Sequence, residues 1–233
     1  MQLLTFNVWL TTLRRQTVVI AMTVVAAIPA AAQESSTDQP QRTQHRKADI
    51  MRFLAGAAVG LAAHEGGHLV LDLAFDARPR ITRVALGGIP FFALTHRDDL
   101  SPRREFAVSS AGFWVQESWN EALLTRRPDL RYEHAPFSTG VLAFNILTSI
   151  GYGAVALAKA GPPERDTRGM ADSAGVDERA IAAMIMLPAI LDGVRYFKPN
   201  ARWAKWTSRA AKAGSVLLIV KSRDEPIVEP VSR

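Results

Sequence analysis

Long apolar blocks alternate with strongly polar ones along this chain. Arg14 and Arg15 precede an apolar run from Thr17 to Ala32 that closes on Pro29-Ala30-Ala31-Ala32, the small-residue pattern of a cleaved export signal. The run falls short of the ~20 residues that span a bilayer comfortably, so cleavage is expected rather than anchoring. Residues 33 to 48 are rich in Ser, Thr, Gln, Asp and Arg and read as a polar linker. From Phe53 to Phe75 the chain is apolar apart from His64-Glu65-Gly66-Gly67-His68 and Asp72, and this stretch is long enough to cross hydrocarbon. The alternation Ile81-Thr82-Arg83-Val84-Ala85-Leu86, then Gly87-Gly88 and Ile89 to Leu94, predicts two short strands around a glycine turn.

Ser101-Pro102 starts a helix running to about Leu124, with Gln116, Glu117, Asn120 and Glu121 on a mostly apolar body. Phe137 to Ala158 carries no charge, and Ala180 to Phe197 is apolar apart from Arg195 and a lone acid, Asp192, with Pro188 interrupting it. Between them, Gly161 to Glu178 is polar and reads as a loop. From Asn200, Arg202, Lys205, Arg209 and Lys212 recur at helical spacing beside Trp203 and Trp206, a pattern suited to a helix on a membrane surface. The predicted fold class is mainly α. It is a helical membrane-embedded domain (residues 49 to 221) with about three to four apolar helices and a small β-hairpin, preceded by a signal peptide (1 to 32) and the linker (33 to 48), with a polar tail from 222 to 233.

Composition narrows the partners. The 233 residues carry a net charge of +6 and 48% apolar content, with a mean hydropathy of only +0.03 because the blocks average out. Arg and Lys cluster beside apolar runs, as in proteins that meet anionic bilayers, and no groove-reading module accompanies them. The expected surroundings are a lipid bilayer and a bacterial-type inner membrane, with no nucleic acid; nothing specifies an oligomeric state. There is no cysteine, so packing or the membrane must supply the stability that disulfides give exported domains.

The candidate chemistry lies in the first apolar block. His64 and His68 are one helical turn apart and share a face, so both imidazoles can ligate one Zn²⁺. Glu65 would take a proton from a water that the metal polarises, which is the chemistry of the HExxH zinc peptidases. A catalytic zinc needs a third protein ligand, and the residues leave it open. Asp192, an acid in an apolar segment, is one candidate; Glu117 or Glu121, on the helix after the motif, are the gluzincin-like alternative. Asp72 continues the His64-His68 face by one turn and can orient His68.

With Ala63-His64-Glu65-Gly66-Gly67-His68, Ser109-Ser110-Ala111-Gly112 and Leu187-Pro188-Ala189-Ile190-Leu191-Asp192-Gly193, most of residues 50 to 198 resembles the site-2 protease family of intramembrane zinc metalloproteases. The resemblance implies that His64, His68 and Asp192 bind zinc, that Glu65 is the general base, and that the substrate is a peptide or membrane protein. Ile185 stands where the family has asparagine, and Phe113 and Gln116 also depart from its pattern. His96, His134 and His45 lie in polar surroundings and read as surface residues, Asn145 as a polar contact between helices, and Trp114 and Trp119 as packing. A non-enzymatic membrane protein with a structural metal site is the remaining reading.

Overall fold

The computed structural model describes residues 39–86, 89–97 and 99–221. The expected signal peptide, glycine turn and polar tail lie outside the described residues. Helix α1 (Gln39–Ala74) has 36 residues, ~54 Å at the usual rise. It begins inside the stretch read as a linker: Pro40 sits in the first turn, where its missing N–H breaks no bond, and the residues after it are mostly good helix formers. Strands β1 (Arg80–Leu86) and β2 (Ile89–Thr95) pair antiparallel, Arg80 opposite Thr95 and Leu86 opposite Ile89.

Helix α2 (Pro102–Arg126) follows Ser101 at the cap position, with Pro in the first turn as expected. A 3₁₀ turn (Leu130–Tyr132) leads to α3 (Pro136–Leu157). The segment expected as a loop contains a further helix, α4 (Asp166–Ala174), which stops at Gly175 in the left-handed conformation. Helix α5 (Glu178–Phe197) starts under an Asp177 cap and continues through Pro188, and α6 (Arg202–Lys221) ends the described chain.

Helix α1 packs on α3 and α2, α3 on α5, and α5 on α6. The α1–α3 contact depends on glycine: a β-carbon on Gly56 would stand 2.0 Å from the Phe137 carbonyl oxygen, and one on Gly140 2.0 Å from that of Phe53. Only hydrogen at both positions lets the backbones meet. One apolar cluster joins α2, α4 and α5 through Phe106, Phe113, Met170, Ile181 and Ile185.

The burial pattern of α1 is the reverse of a soluble amphipathic helix. Gly56, Gly60, His64, His68 and Asp72, each four residues from the next, form its buried face, while Met51, Leu54, Val70 and Leu73 are more than half exposed. Polar groups line the interior elsewhere too: the Asn145 side chain donates to Asn120 Oδ1 at 2.9 Å across α3 and α2, the cross-helix contact expected of it. Among the described residues two helices, α3 and α5, are long and apolar enough to cross a membrane. The expected three to four apolar helices therefore narrow to two by composition, because His64, Glu65, His68 and Asp72 offset the apolar residues of α1.

Candidate metal centre

His64 and His68 project from α1 onto α2, and the backbone of α2 shapes the space they occupy. Gly112 lies against both rings, where a β-carbon would stand 2.5 Å from His64 Nδ1. His68 Nδ1 donates to the Val108 carbonyl at 2.8 Å. That bond fixes the tautomer and leaves the Nε2 lone pair free to bind an ion.

The third group comes from α4, the helix in the segment expected as a loop. Asp166 opens α4, and its Oδ2 stands 3.5 Å from His64 Nε2 and 3.6 Å from His68 Nε2. The two Nε2 atoms are 3.4 Å apart. Two ligand atoms each ~2.0–2.1 Å from zinc at a tetrahedral angle are ~3.4 Å apart, so the triangle has the size of one face of a zinc tetrahedron. Among the described residues these three form the group of His and carboxylate side chains close enough to hold one ion. Burial alone would raise the Asp166 carboxyl, but His68 and His64 outweigh it and hold that carboxyl below its usual range.

Asp166 is held by its neighbours. Arg165 makes a two-pronged pair with Glu178, Nε to Oε1 at 2.7 Å and Nη2 to Oε2 at 2.6 Å, and Thr167 Oγ1 donates to the same Glu178 at 2.8 Å. The residues on both sides of Asp166 are thus tied to the first turn of α5. Tyr152 of α3 closes another side, its ring centroid 5.9 Å from that of His64 and its phenol facing Asp166. Glu65 is close enough to act electrostatically on both His64 and Tyr152.

Asp192 is elsewhere. It is fully buried and accepts from Ser208 Oγ at 2.7 Å and Lys212 Nζ at 2.9 Å, with Arg195 at 3.2 Å. The expectation that it completes the metal centre is corrected: three partners on α5 and α6 hold its carboxylate, and Asp166 occupies the place beside the histidines. The Glu121 alternative is corrected on the same ground. Its carboxylate is bound by Arg195 at 2.5 Å, Arg209 at 2.8 Å and Lys212 at 3.3 Å. Glu117 lies one turn away, beside Lys212 and Asp192. The buried face of α6 is thereby explained: Ser208 and Lys212 dock it along α5, while Trp203 and Trp206 stay exposed.

His96, expected at the surface, is instead partly buried between α1 and α2. Its Nε2 is 2.7 Å from Glu105 Oε2 and its Nδ1 3.4 Å from Asp72 Oδ1. The turn after α1 produces this: Ala77 N donates to Asp72 O at 2.7 Å and Arg97 N to Ala77 O at 3.0 Å, which draws the end of β2 over the end of α1. His134 is exposed, 3.2 Å from Asp49.

Asp166 had a legible signal. An acid opening a short helix-compatible stretch that stops at Gly175 is a helix start and stop. Comparison of the chain with protein-family models, with curated proteins and with solved structures gives no match.

Proposed function

We propose that this protein is a zinc-dependent hydrolase of the membrane, acting on peptide bonds, with His64, His68 and Asp166 as the metal ligands and Glu65 as the general base. The observation that carries the reading is the triangle of ligand atoms, 3.4 to 3.6 Å on each side, with the motif glutamate next to it in the chain. When bound, the ion supplies Lewis acidity, lowering the pKa of a water molecule and polarising the substrate carbonyl.

The protein groups do the rest. His68, with Nδ1 committed to Val108, offers Nε2 to the ion in one orientation. Glu65 accepts the proton of the attacking water and passes it to the departing amine, so one carboxylate serves as base and then acid. The three ligands leave a fourth position, and His68 and Asp166 both line a cavity that gives access to it. A closed structural site would have four protein ligands and no such opening.

Support for the membrane setting comes from α1, which buries its histidines and Asp72 and exposes leucine and valine. That is the arrangement a lipid-facing helix requires.

The test separates metal from chemistry. Purified wild-type protein should hold one zinc per chain, His64→Ala and Asp166→Ala should lose it, and Glu65→Gln should keep it while abolishing peptide hydrolysis. A wild type without zinc, or a Glu65→Gln variant that still hydrolyses, overturns the proposal.

A further inference from the structure

A cavity of about 420 Å³ opens from His68 and Asp166 and runs between the ends of α1, β2, α2 and α4. Its walls carry five carboxylates: Asp72, Glu105, Glu164, Asp166 and Asp172. Its cations do not balance them. Arg165 is committed to Glu178 through Nε and Nη2 and to the Pro162 carbonyl through Nη1, and His96 is shared between Asp72 and Glu105. Asp166 belongs to the metal centre and Asp172 pairs with Arg168 at 3.3 Å. This leaves Asp72, Glu105 and Glu164 facing the cavity with one imidazole among them.

Asp72 is the decisive group. It is 1% exposed, and among the described residues neither of its carboxylate oxygens has a hydrogen-bond partner. His96 reaches Oδ1 at 3.4 Å, an ion-pair contact only. A buried carboxylate left without a donor is destabilising, and a cationic donor entering the cavity would relieve it.

The cavity is far larger than a metal ion, and the group of ligand atoms close enough for one is the His64-His68-Asp166 set. Because the cavity adjoins that set, a side chain of a molecule held at the metal centre can reach into it. We infer that this acid-lined cavity is a subsite for a basic side chain, arginine or lysine, of a peptide substrate, next to the bond that is cut. The inference rests on the proposed hydrolase reading for the word substrate, but not for the binding itself. Asp72 receives the head of the side chain, and Glu105 and Glu164 attract it from further out.

Citrulline has the shape of arginine without its charge, so paired peptides that differ only in that residue isolate the effect. Their binding to the full-length, zinc-loaded Glu65→Gln protein in detergent is measured by calorimetry, with cleavage by wild type followed in parallel. The arginine peptide should bind ~10-fold tighter or more, the value of one charge-assisted hydrogen bond to a partly buried carboxylate. Asp72→Asn should remove most of that preference. Glu164→Gln, at an exposed position where folding is not at stake, should reduce it.

Equal binding of the two peptides, no binding of either, or a preference unchanged in Asp72→Asn and Glu164→Gln alike overturns the subsite. Preferential binding without cleavage by wild type leaves the subsite standing and overturns the hydrolase. Cleavage without preference does the reverse.

Discussion

Gly112 touches His68 so closely that a β-carbon at residue 112 would stand 2.6 Å from the imidazole Nε2, the atom offered to the metal. No side-chain rotation relieves this, because the obstructing carbon would be fixed to the backbone of α2 and the opposing ring is held by Val108. Gly112→Ala should therefore displace both histidines and cut zinc occupancy severely. Gly66→Ala is the control: its β-carbon meets nothing within 4 Å, and alanine in a helix is worth ~0.5–1 kcal/mol over glycine. Metal analysis and thermal unfolding of the two variants decide it; zinc retained in Gly112→Ala would contradict the geometry.

Asp166 and Asp192 make opposite predictions. Asp166→Asn removes a ligand from an otherwise intact interior, so zinc affinity should fall by more than the ~10–100-fold typical of losing a ligand's supporting partner. The unfolding midpoint of the metal-free protein should barely move. Asp192→Asn should leave zinc in place and destabilise the fold by ~1–3 kcal/mol, since Lys212 and Arg195 would lose a fully buried partner and keep Glu121 alone as counter-charge. Loss of zinc in Asp192→Asn would restore Asp192 to the metal centre.

The contrast explains what could be read from the chain. The long helices after residue 49, the hairpin and the pairing of His64 with His68 follow from periodicity, because a 3.6-residue repeat and a four-residue spacing are local facts. The third ligand is not local. Asp192, an acid in an apolar segment, needs a partner, and it finds Ser208 and Lys212 on a helix whose pattern suits the membrane surface. Asp166 sits in a segment whose proline, glycine and charge resemble a loop, and it is the packing of α4 against α2 and α5 that carries it to the histidines. The polar face of α1 was legible, but its exposed apolar face becomes evident only once α2 and α3 occupy the other side.

Glu178 should act on the metal centre without touching it. It binds Arg165 and Thr167, the neighbours of Asp166, at 2.6 to 2.8 Å. Glu178→Ala should free the start of α4 and weaken zinc binding ~10–100-fold, while Glu178→Gln, which can still accept from Thr167, should fall between it and wild type. Zinc competition titrations give the readout. If global destabilisation alone were responsible, the affinity measured below the unfolding transition would match wild type.

The carboxylate of Glu121 carries a pH signature. Burial pushes it up, but hydrogen bonds from Arg195, Arg209 and Thr125 and the charge of Lys212 more than reverse this, holding it well below the ordinary 4.5. A carboxyl whose pKa is depressed by folding adds stability that is fully present above its unfolded value and is lost as pH falls toward its folded one. Glu121→Gln should thus be less stable than wild type at pH 7 by about 1–2 kcal/mol, a figure reduced because the side chain is 27% exposed. The gap should hold down to pH near 5 and narrow steadily below 4.5, since only the wild-type carboxylate loses charge there. Denaturant midpoints for the two proteins at pH 7, 5 and 3.5 measure it. A gap that stays constant across that range would mean that Glu121 contributes packing and not charge, and the ion pairs of Asp192 would then join only α5 and α6.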